Sequence, residues 1–308
     1  MMTTPNLKIN YSIIIPHHNL PNLLQRLIDS IPVRDDVEII IVDDNSSPEI
    51  VDFENFPGSR RTDVKIILDK KGGYGGYVRN IGLREAKGKW VLFADSDDFF
   101  NYCISDILNE YIDNDADIVY FKGNSLDTDT YTLSNRCKLL NKYIDLWKTD
   151  QPKSSFILRY IFGEPWCKLI RRSIIDENNI KFEESSIHND TEFSYKVGFY
   201  ANRLTVDERA LYCITTRMGS VSKVITETKK LERIRTFAKS EIFFRTNNVP
   251  LLPILHYKQL IVALLTNKET YKTGFSLLRD LGLSKVHIYT SMILYPINAL
   301  LFKFKYTL

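Results

Sequence analysis

The sequence is short of cysteine and histidine, nearly balanced in charge, and without an apolar run long enough to span a membrane. Its four cysteines, Cys103, Cys137, Cys167 and Cys213, lie far apart with no CxxC pair, which argues for reduced thiols rather than a disulfide framework or zinc ligands. Among the five histidines, the adjacent His17 and His18 have no metal-ligand spacing to a partner. A net charge of +3, from 41 basic and 38 acidic residues, gives no sign of an unspecific nucleic-acid binder. Residues Met1 to Asn10 hold no apolar stretch of signal-peptide type, so a cytoplasmic location is expected. What remains is a 308-residue chain with 44% hydrophobic content, enough for a large core in one catalytic domain with an appendage.

The chemistry concentrates at strand ends. Val91-Leu92-Phe93-Ala94 reads as a buried strand and runs into Asp95-Ser96-Asp97-Asp98, three carboxylates within four residues. In open α/β sheets the carboxyl edge is where ligands bind. Asp95 and Asp97 share a side if the backbone stays extended. A divalent metal completed by phosphate oxygens would relieve their repulsion. The bland alternative is a solvated acidic turn capping the next helix.

Two further apolar strands end in polar clusters: Ser12-Ile13-Ile14-Ile15 before Pro16-His17-His18-Asn19, and Glu38-Ile39-Ile40-Ile41-Val42 before Asp43-Asp44-Asn45-Ser46. Uninterrupted apolar strands imply cover on both faces, hence a parallel sheet between helices. Leu23, Leu24, Leu27, Ile28 and Ile31 follow the first strand at helical spacing. After a third strand, Val64 to Leu68, Gly72, Gly73, Gly75 and Gly76 open a helix that Gly88 is expected to close at C′. A dinucleotide fingerprint is rejected, because it would follow the first strand and carry an acid about 20 residues later. The loop reads instead as a flap over a nucleotide, with Arg79 placed for phosphate or carboxylate.

In order, Pro16-x-x-Asn19, Val42-Asp43-Asp44-x-Ser46, the glycine loop through Arg79-Asn80-x-Gly82-Leu83-x-x-Ala86-x-Gly88, and Phe93-x-Asp95-Ser96-Asp97-Asp98 resemble the family 2 glycosyltransferases of the GT-A fold. Weaker likeness continues through Trp166-Cys167-Lys168-Leu169, Asn189-Asp190-x-x-Phe193, and Tyr212 to Arg217-x-Gly219-Ser220-Val221-Ser222. The resemblance implies a Rossmann-like, mostly parallel sheet flanked by helices over residues 1–225. Residues 8–123 would form the nucleotide-sugar half and 124–225 the acceptor half, followed by a helical C-terminal region over 226–308.

It also implies inverting, direct displacement on a nucleotide-diphosphate sugar, UDP being the family-level expectation. The acceptor would be a saccharide or lipid-linked saccharide, in bacterial surface polysaccharide synthesis. Pro16, Asn19, Asp43, Asp44, Arg79, Asp95 and Ser96 would bind the donor, and Asp95 and Asp97 would hold Mn²⁺ or Mg²⁺. Asp190 would be the general base, with Asn189 replacing the family's usual Glu; one fewer neighbouring charge should lower its titration relative to typical members. The bland role of Asp190 is an N-cap, and His188 beside it reads as a surface residue or an assistant to the base. Trp166 is a candidate acceptor platform or a core tryptophan. Lys168 and Arg217 are candidate diphosphate partners or surface ion pairs. His18 is a candidate for stacking where relatives carry an aromatic residue.

Two other classes compete. A sugar nucleotidyltransferase is disfavoured, since no glycine-rich, lysine-containing loop follows strand one. A catalytically silent nucleotide-sugar binder or scaffold stays open because of Asn189. Ser154 to Phe162 and Asp190 to Tyr200 read as helical, Asp115 to Gly123 as a strand, and Asn124 to Gln151 as an insertion of loops and short elements. Near the C-terminus, Ile288 to Phe302 is strongly apolar over 15 residues, where a span needs about 20. It reads as a helix packed on the protein or as an interfacial anchor at the inner face of the plasma membrane, with packing preferred.

Overall fold

A computed structural model describes residues 8–217, 226–250 and 255–306. The chain forms two compact units: Met1–Glu184 with Phe193–Met218, and Ser185–Glu192 with Gly219–Leu308. The short segment carrying Asp190 groups with the second unit.

In the first half of the chain come β1 (Tyr11–His17), α1 (Pro21–Asp29), β2 (Val37–Asp44), β3 (Val64–Asp69), α2 (Tyr74–Glu85), β4 (Trp90–Phe93), β5 (Phe99–Phe100), α3 (Ile104–Glu110) and β6 (Ile118–Asp127). There follow α4 (Lys138–Asp145), α5 (Gln151–Tyr160), β7 (Lys168–Arg171), α6 (Arg172–Glu177), α7 (Thr191–Tyr200) and β8 (Leu204–Thr216). The described strands make one sheet in the order β3-β2-β1-β4-β7-β6-β8-β5. Its first four strands are parallel, as apolar strands covered on both faces require. Beyond β4 the sheet is mixed: β7 runs antiparallel to β4 and β6, β6 pairs in parallel with β8, and β5 closes the edge antiparallel to β8. Ile13, Ile14, Ile15, Ile39, Ile40, Ile41 and Val42 are wholly buried.

Two glycines bring α2 and its following turn against β1. A Cβ on Gly82 would lie 2.4 Å from Ile14 Cγ2, so helix and strand meet where only hydrogen fits. Gly88 does not close α2 in a left-handed conformation; the helix ends at Glu85 with Ala86 as C-cap in extended geometry. Its backbone N–H instead donates to Ser12 Oγ at 2.8 Å, and a Cβ there would stand 2.5 Å from Ser12 N. The glycine therefore permits close backbone approach.

The second unit contains α8 (Glu227–Thr246), α9 (Leu255–Thr266), α10 (Lys268–Asp280) and α11 (Lys285–Tyr306). Thr226 caps α8 and Asn267 caps α10, each side chain accepting from first-turn amides. Their core is Ile234, Ala238, Tyr257, Leu260, Leu278, Leu283 and Ile288. Inside it, Glu241 Oε2 accepts from His256 Nε2 at 2.7 Å and Tyr257 OH at 3.0 Å, and Oε1 accepts from His287 Nε2 at 2.7 Å. The apolar C-terminal segment belongs to a 22-residue helix, longer than the apolar run itself. Among the described residues no helix is long and apolar enough to cross a membrane.

Candidate active site

The carboxyl ends of β1, β2, β3 and β4 carry the motifs, and hydrogen bonds interlock them. His17 Nδ1 meets Asp43 Oδ1 at 2.7 Å, while His17 Nε2 accepts from the Leu20 amide at 3.1 Å. An amide can only donate, so the His17 proton resides on Nδ1. Ser46 donates to Asp43 from both its amide and its hydroxyl. Burial pushes the Asp43 carboxyl up, but these bonds from His17 and Ser46 outweigh it and leave the group below the usual carboxylate range.

Asn19 and Asn45 adopt positive φ, 55° and 56°, a conformation asparagine tolerates well. That lets Asn19 accept from the Ser47 amide at 2.8 Å and donate its own amide to Ser46 Oγ at 2.8 Å. The His18 ring is exposed and held at its edge, Nδ1 bonding the Asp44 carbonyl and Nε2 bonding Asn19. Pro16 lies in β1, opposite Val42 of β2.

The glycine loop is tied to the same edge. Asp44 Oδ1 accepts from the Gly73 amide at 2.7 Å, and Asp69 Oδ2 accepts from the Lys71 and Gly72 amides, each at 3.0 Å. Asn80 pairs with the Phe182 backbone through both side-chain atoms, at 3.0 and 2.8 Å.

After Phe93 the extended backbone stops. Asp98 N–H donates to the Asp95 carbonyl at 3.0 Å, so Asp95 to Asp98 form a turn and strand alternation does not set the directions of Asp95 and Asp97. Arg79 Nη2 donates to Asp95 Oδ1 at 2.5 Å and Arg217 Nε to Asp97 Oδ2 at 3.1 Å. Arg26 Nη2 reaches the Asp97 carbonyl at 2.5 Å, where Thr215 Oγ1 also donates at 2.6 Å. The Thr215 amide donates to Asp98 Oδ1 at 2.7 Å, and the Asp95 amide to Tyr212 OH at 2.8 Å. Ser96 is buried within the turn.

Three carboxylates so close do not share the available donors evenly. Burial first, then the Asp95 charge, raises the Asp97 carboxyl despite Arg217. Asp98 is 2% exposed, and burial followed by the charges of Asp95 and Asp97 holds it well above the usual range. Burial and mutual repulsion at Asp97 and Asp98 thus exceed what the neighbouring donors offset, and a cation would relieve them. Hard oxygen donors suit Mg²⁺ or Mn²⁺. Among the described residues, no group of three or more His, Cys, Asp or Glu side chains could hold a metal by itself, so these carboxylates fit a metal sharing its shell with a ligand rather than one in a protein cage.

Other sequence candidates land elsewhere. Trp166 is 5% exposed and packs edge-on against Phe162, with centroids 5.3 Å apart, so it is a core tryptophan with no open face. Lys168 is 2% exposed, its ammonium 4.8 Å from the Phe162 centroid and 5.2 Å from that of Tyr120, inside the sheet layer and not at its surface. Asp190 directly precedes α7 and falls in the second unit. In that segment His188 is no surface residue: its Nε2 accepts from Arg233 Nε at 3.0 Å, and burial followed by the Arg233 charge pushes it down to about 4. Gly219 to Ser222 lie outside the described residues. Arg26 and Thr215 are site residues with no distinct sequence signal, since each resembles an ordinary helix or strand-end residue until the fold brings it in.

The comparisons agree with this geometry. The model of "Glycosyl transferase family 2" matches residues 12–178, more than half of the chain, which therefore belongs to that family and is a glycosyltransferase. The chain is 25% identical over 248 residues to EpsH, a Bacillus subtilis protein named as a glycosyltransferase, covering 77% of this chain and 70% of EpsH. It is 26% identical over 220 residues to the poly(ribitol-phosphate) beta-N-acetylglucosaminyltransferase TarS of Staphylococcus aureus, covering 68% of this chain but only 36% of TarS. The crystal structure of TarS residues 1–349 with UDP-GlcNAc superposes with a TM-score of 0.59 at 22% identity, covering 92% of this chain and 78% of that one. A Pyrobaculum calidifontis mannosyltransferase in complex with GDP-Man and Mn²⁺ gives 0.52 at 14% identity, over 97% of this chain and 88% of its own. These likenesses establish the GT-A fold.

Proposed function

We propose that the chain transfers a sugar from a nucleotide-diphosphate sugar, with UDP as nucleotide, to a saccharide acceptor in bacterial surface polysaccharide synthesis, with inversion at the anomeric carbon. The observation that carries this reading is the Asp95 to Asp98 turn, whose mutually repelling carboxylates face Arg79 and Arg217 at the end of a buried strand. The UDP-GlcNAc complex of TarS supports a UDP-sugar donor, and the name of TarS supports a saccharide-bearing polymer as acceptor.

In this reading Asp43 and Asn19, fixed by His17 and Ser46, and Asp44, fixed by the Gly73 amide and His18, present the edge that receives base and ribose. Pro16 shapes that edge, and Ser96 holds the turn beneath the donor. Asp95 and Asp97 would hold Mg²⁺ or Mn²⁺, which supplies charge neutralisation of the departing diphosphate. Arg79 and Arg217 exchange their carboxylate partners for donor oxygens as the donor enters, because phosphate oxygens accept from a guanidinium as carboxylate oxygens do. Asp190 accepts the proton of the attacking hydroxyl. Trp166 and Lys168 support the acceptor half from within its core. The reaction takes place at a cytoplasmic location.

Calorimetric titration with UDP, GDP and CMP, with Mn²⁺ and with chelator, tests the donor assignment. Metal-dependent binding of UDP that is lost in Asp97→Ala is expected. Absence of binding by all three nucleotides would overturn it and favour a silent scaffold.

A further inference from the structure

Helix α11 has two faces of opposite character. Ile288, Ser291 and Tyr306 are buried, and Met292 and Tyr295 pack against the core of the second unit. Val286, Tyr289, Ile293, Leu294, Ile297, Leu300, Leu301 and Phe304 are exposed, from 41% for Leu294 to 89% for Phe304. At about 100° per residue these eight positions fall within an arc of about 140°, opposite the buried set. Single exposed apolar residues are ordinary, but a contiguous stripe of roughly 27 Å marks an interaction surface.

Charge identifies the occupant. Between Val286 and Phe302 the helix carries no Asp, Glu, Lys or Arg, and the His287 ring turns inward to Glu241 at 2.7 Å. Lys285, Lys303 and Lys305 stand at the two ends, on the borders of the apolar arc. Thr290, the polar residue within the stripe, donates its hydroxyl to the Val286 carbonyl at 2.7 Å, which satisfies its donor within the helix. Residues 226–308 contain 13 Lys and Arg against 5 Asp and Glu, net +8 in a chain whose total is +3. A coiled-coil partner would ask for charged positions beside an apolar seam, and this helix has none along its middle. An apolar stripe with lysines at its ends and no acid is what an anionic bilayer surface accepts.

We propose that the exposed face of α11 lies on an anionic lipid surface, with its apolar side chains in the headgroup-acyl boundary and its lysines among the headgroups. The helix lies in the interface and does not span. This inference stands on the second unit alone and requires no particular donor or acceptor.

The test is flotation of the full chain with vesicles of phosphatidylcholine alone or with about a third phosphatidylglycerol. Binding to the anionic vesicles is expected, weakening as salt rises. The exposed-site double variant Ile293→Asp with Ile297→Asp should lose about tenfold or more, and Lys303→Glu with Lys305→Glu about fivefold. UDP titration of the same variants reports whether the first unit is intact, so failure of vesicle binding and failure of the donor assignment are separate results. No flotation, or flotation unchanged by the aspartates, overturns the proposal. A dimer in light scattering that the aspartates dissolve would assign the face to a second copy and overturn it as well.

Discussion

In the first unit Asp95, Asp97 and Asp98 crowd one turn, and burial with mutual repulsion pushes the last two above the usual carboxylate range. In the second unit Glu241 is buried too, yet the bonds from His256 and His287 outweigh its desolvation and leave it below that range. Each cluster holds one carboxylate away from water, Asp98 at 2% and the Glu241 side chain at 3% exposed. The difference lies in matching: Glu241 has a donor for each oxygen, whereas at Asp97 and Asp98 the nearby donors do not offset burial and the repulsion among the three carboxylates. A matched buried carboxylate fastens helices; an unmatched group is arranged for a cation that arrives from outside.

The largest expected effect separates these roles. Asp97→Asn should lower sugar transfer by about a thousandfold, the scale of losing a main electrostatic contact to the reacting group. Its unfolding midpoint should hold or rise, because a repelled charge is removed; a transfer rate within tenfold of the parent would break the comparison. Glu241→Gln should do the reverse, destabilising the protein by about 3 kcal/mol in denaturant titration while UDP binding stays unchanged.

Next in size is Gly88→Ala, which forces a methyl against Ser12 N at 2.5 Å. It should cost about 2 kcal/mol, readable as a shifted urea midpoint without a new metal dependence. The smallest effect is a pair of opposite pH slopes in metal-free protein. Asp97 and Asp98 are raised above 3.8, so their contribution is full below 3.8 and lost as pH climbs through their folded values. Glu241 is depressed below 4.5, so its contribution is present above 4.5 and lost as pH falls through its folded value. Hydrogen exchange across pH, read on β8 and on α8, checks both signs.

Much of this was legible because it is local. Ile13 to Ile15 and Ile39 to Val42 announce buried parallel strands, and the acids that end them announce an edge where ligands bind. The turn was legible only as a solvated alternative, since its clamping comes from Arg26 and Thr215, 71 and 118 residues away from Asp97 in sequence. Trp166 and Lys168 sit beside motif residues but point into the core, a choice made by the packing of Phe162 and Tyr120 rather than by composition. Gly88 looked like a helix stop; only the approach of β1 shows what the missing side chain is for. The C-terminal segment reads as apolar in sequence, but which of its residues face water depends on the helices it packs against.

The hold of β8 on the acidic turn also bears on synthesis. Tyr212 and Thr215 fasten residues made about 117 positions earlier, so a nascent chain can assemble β1, β2 and β4 long before the clamp on Asp95 to Asp98 exists. Until β8 leaves the ribosome, those carboxylates have Arg26 and Arg79 within the chain already made but lack Tyr212, Thr215 and Arg217. The order of translation therefore delays the appearance of a binding-competent site until nearly all of the first unit has been made.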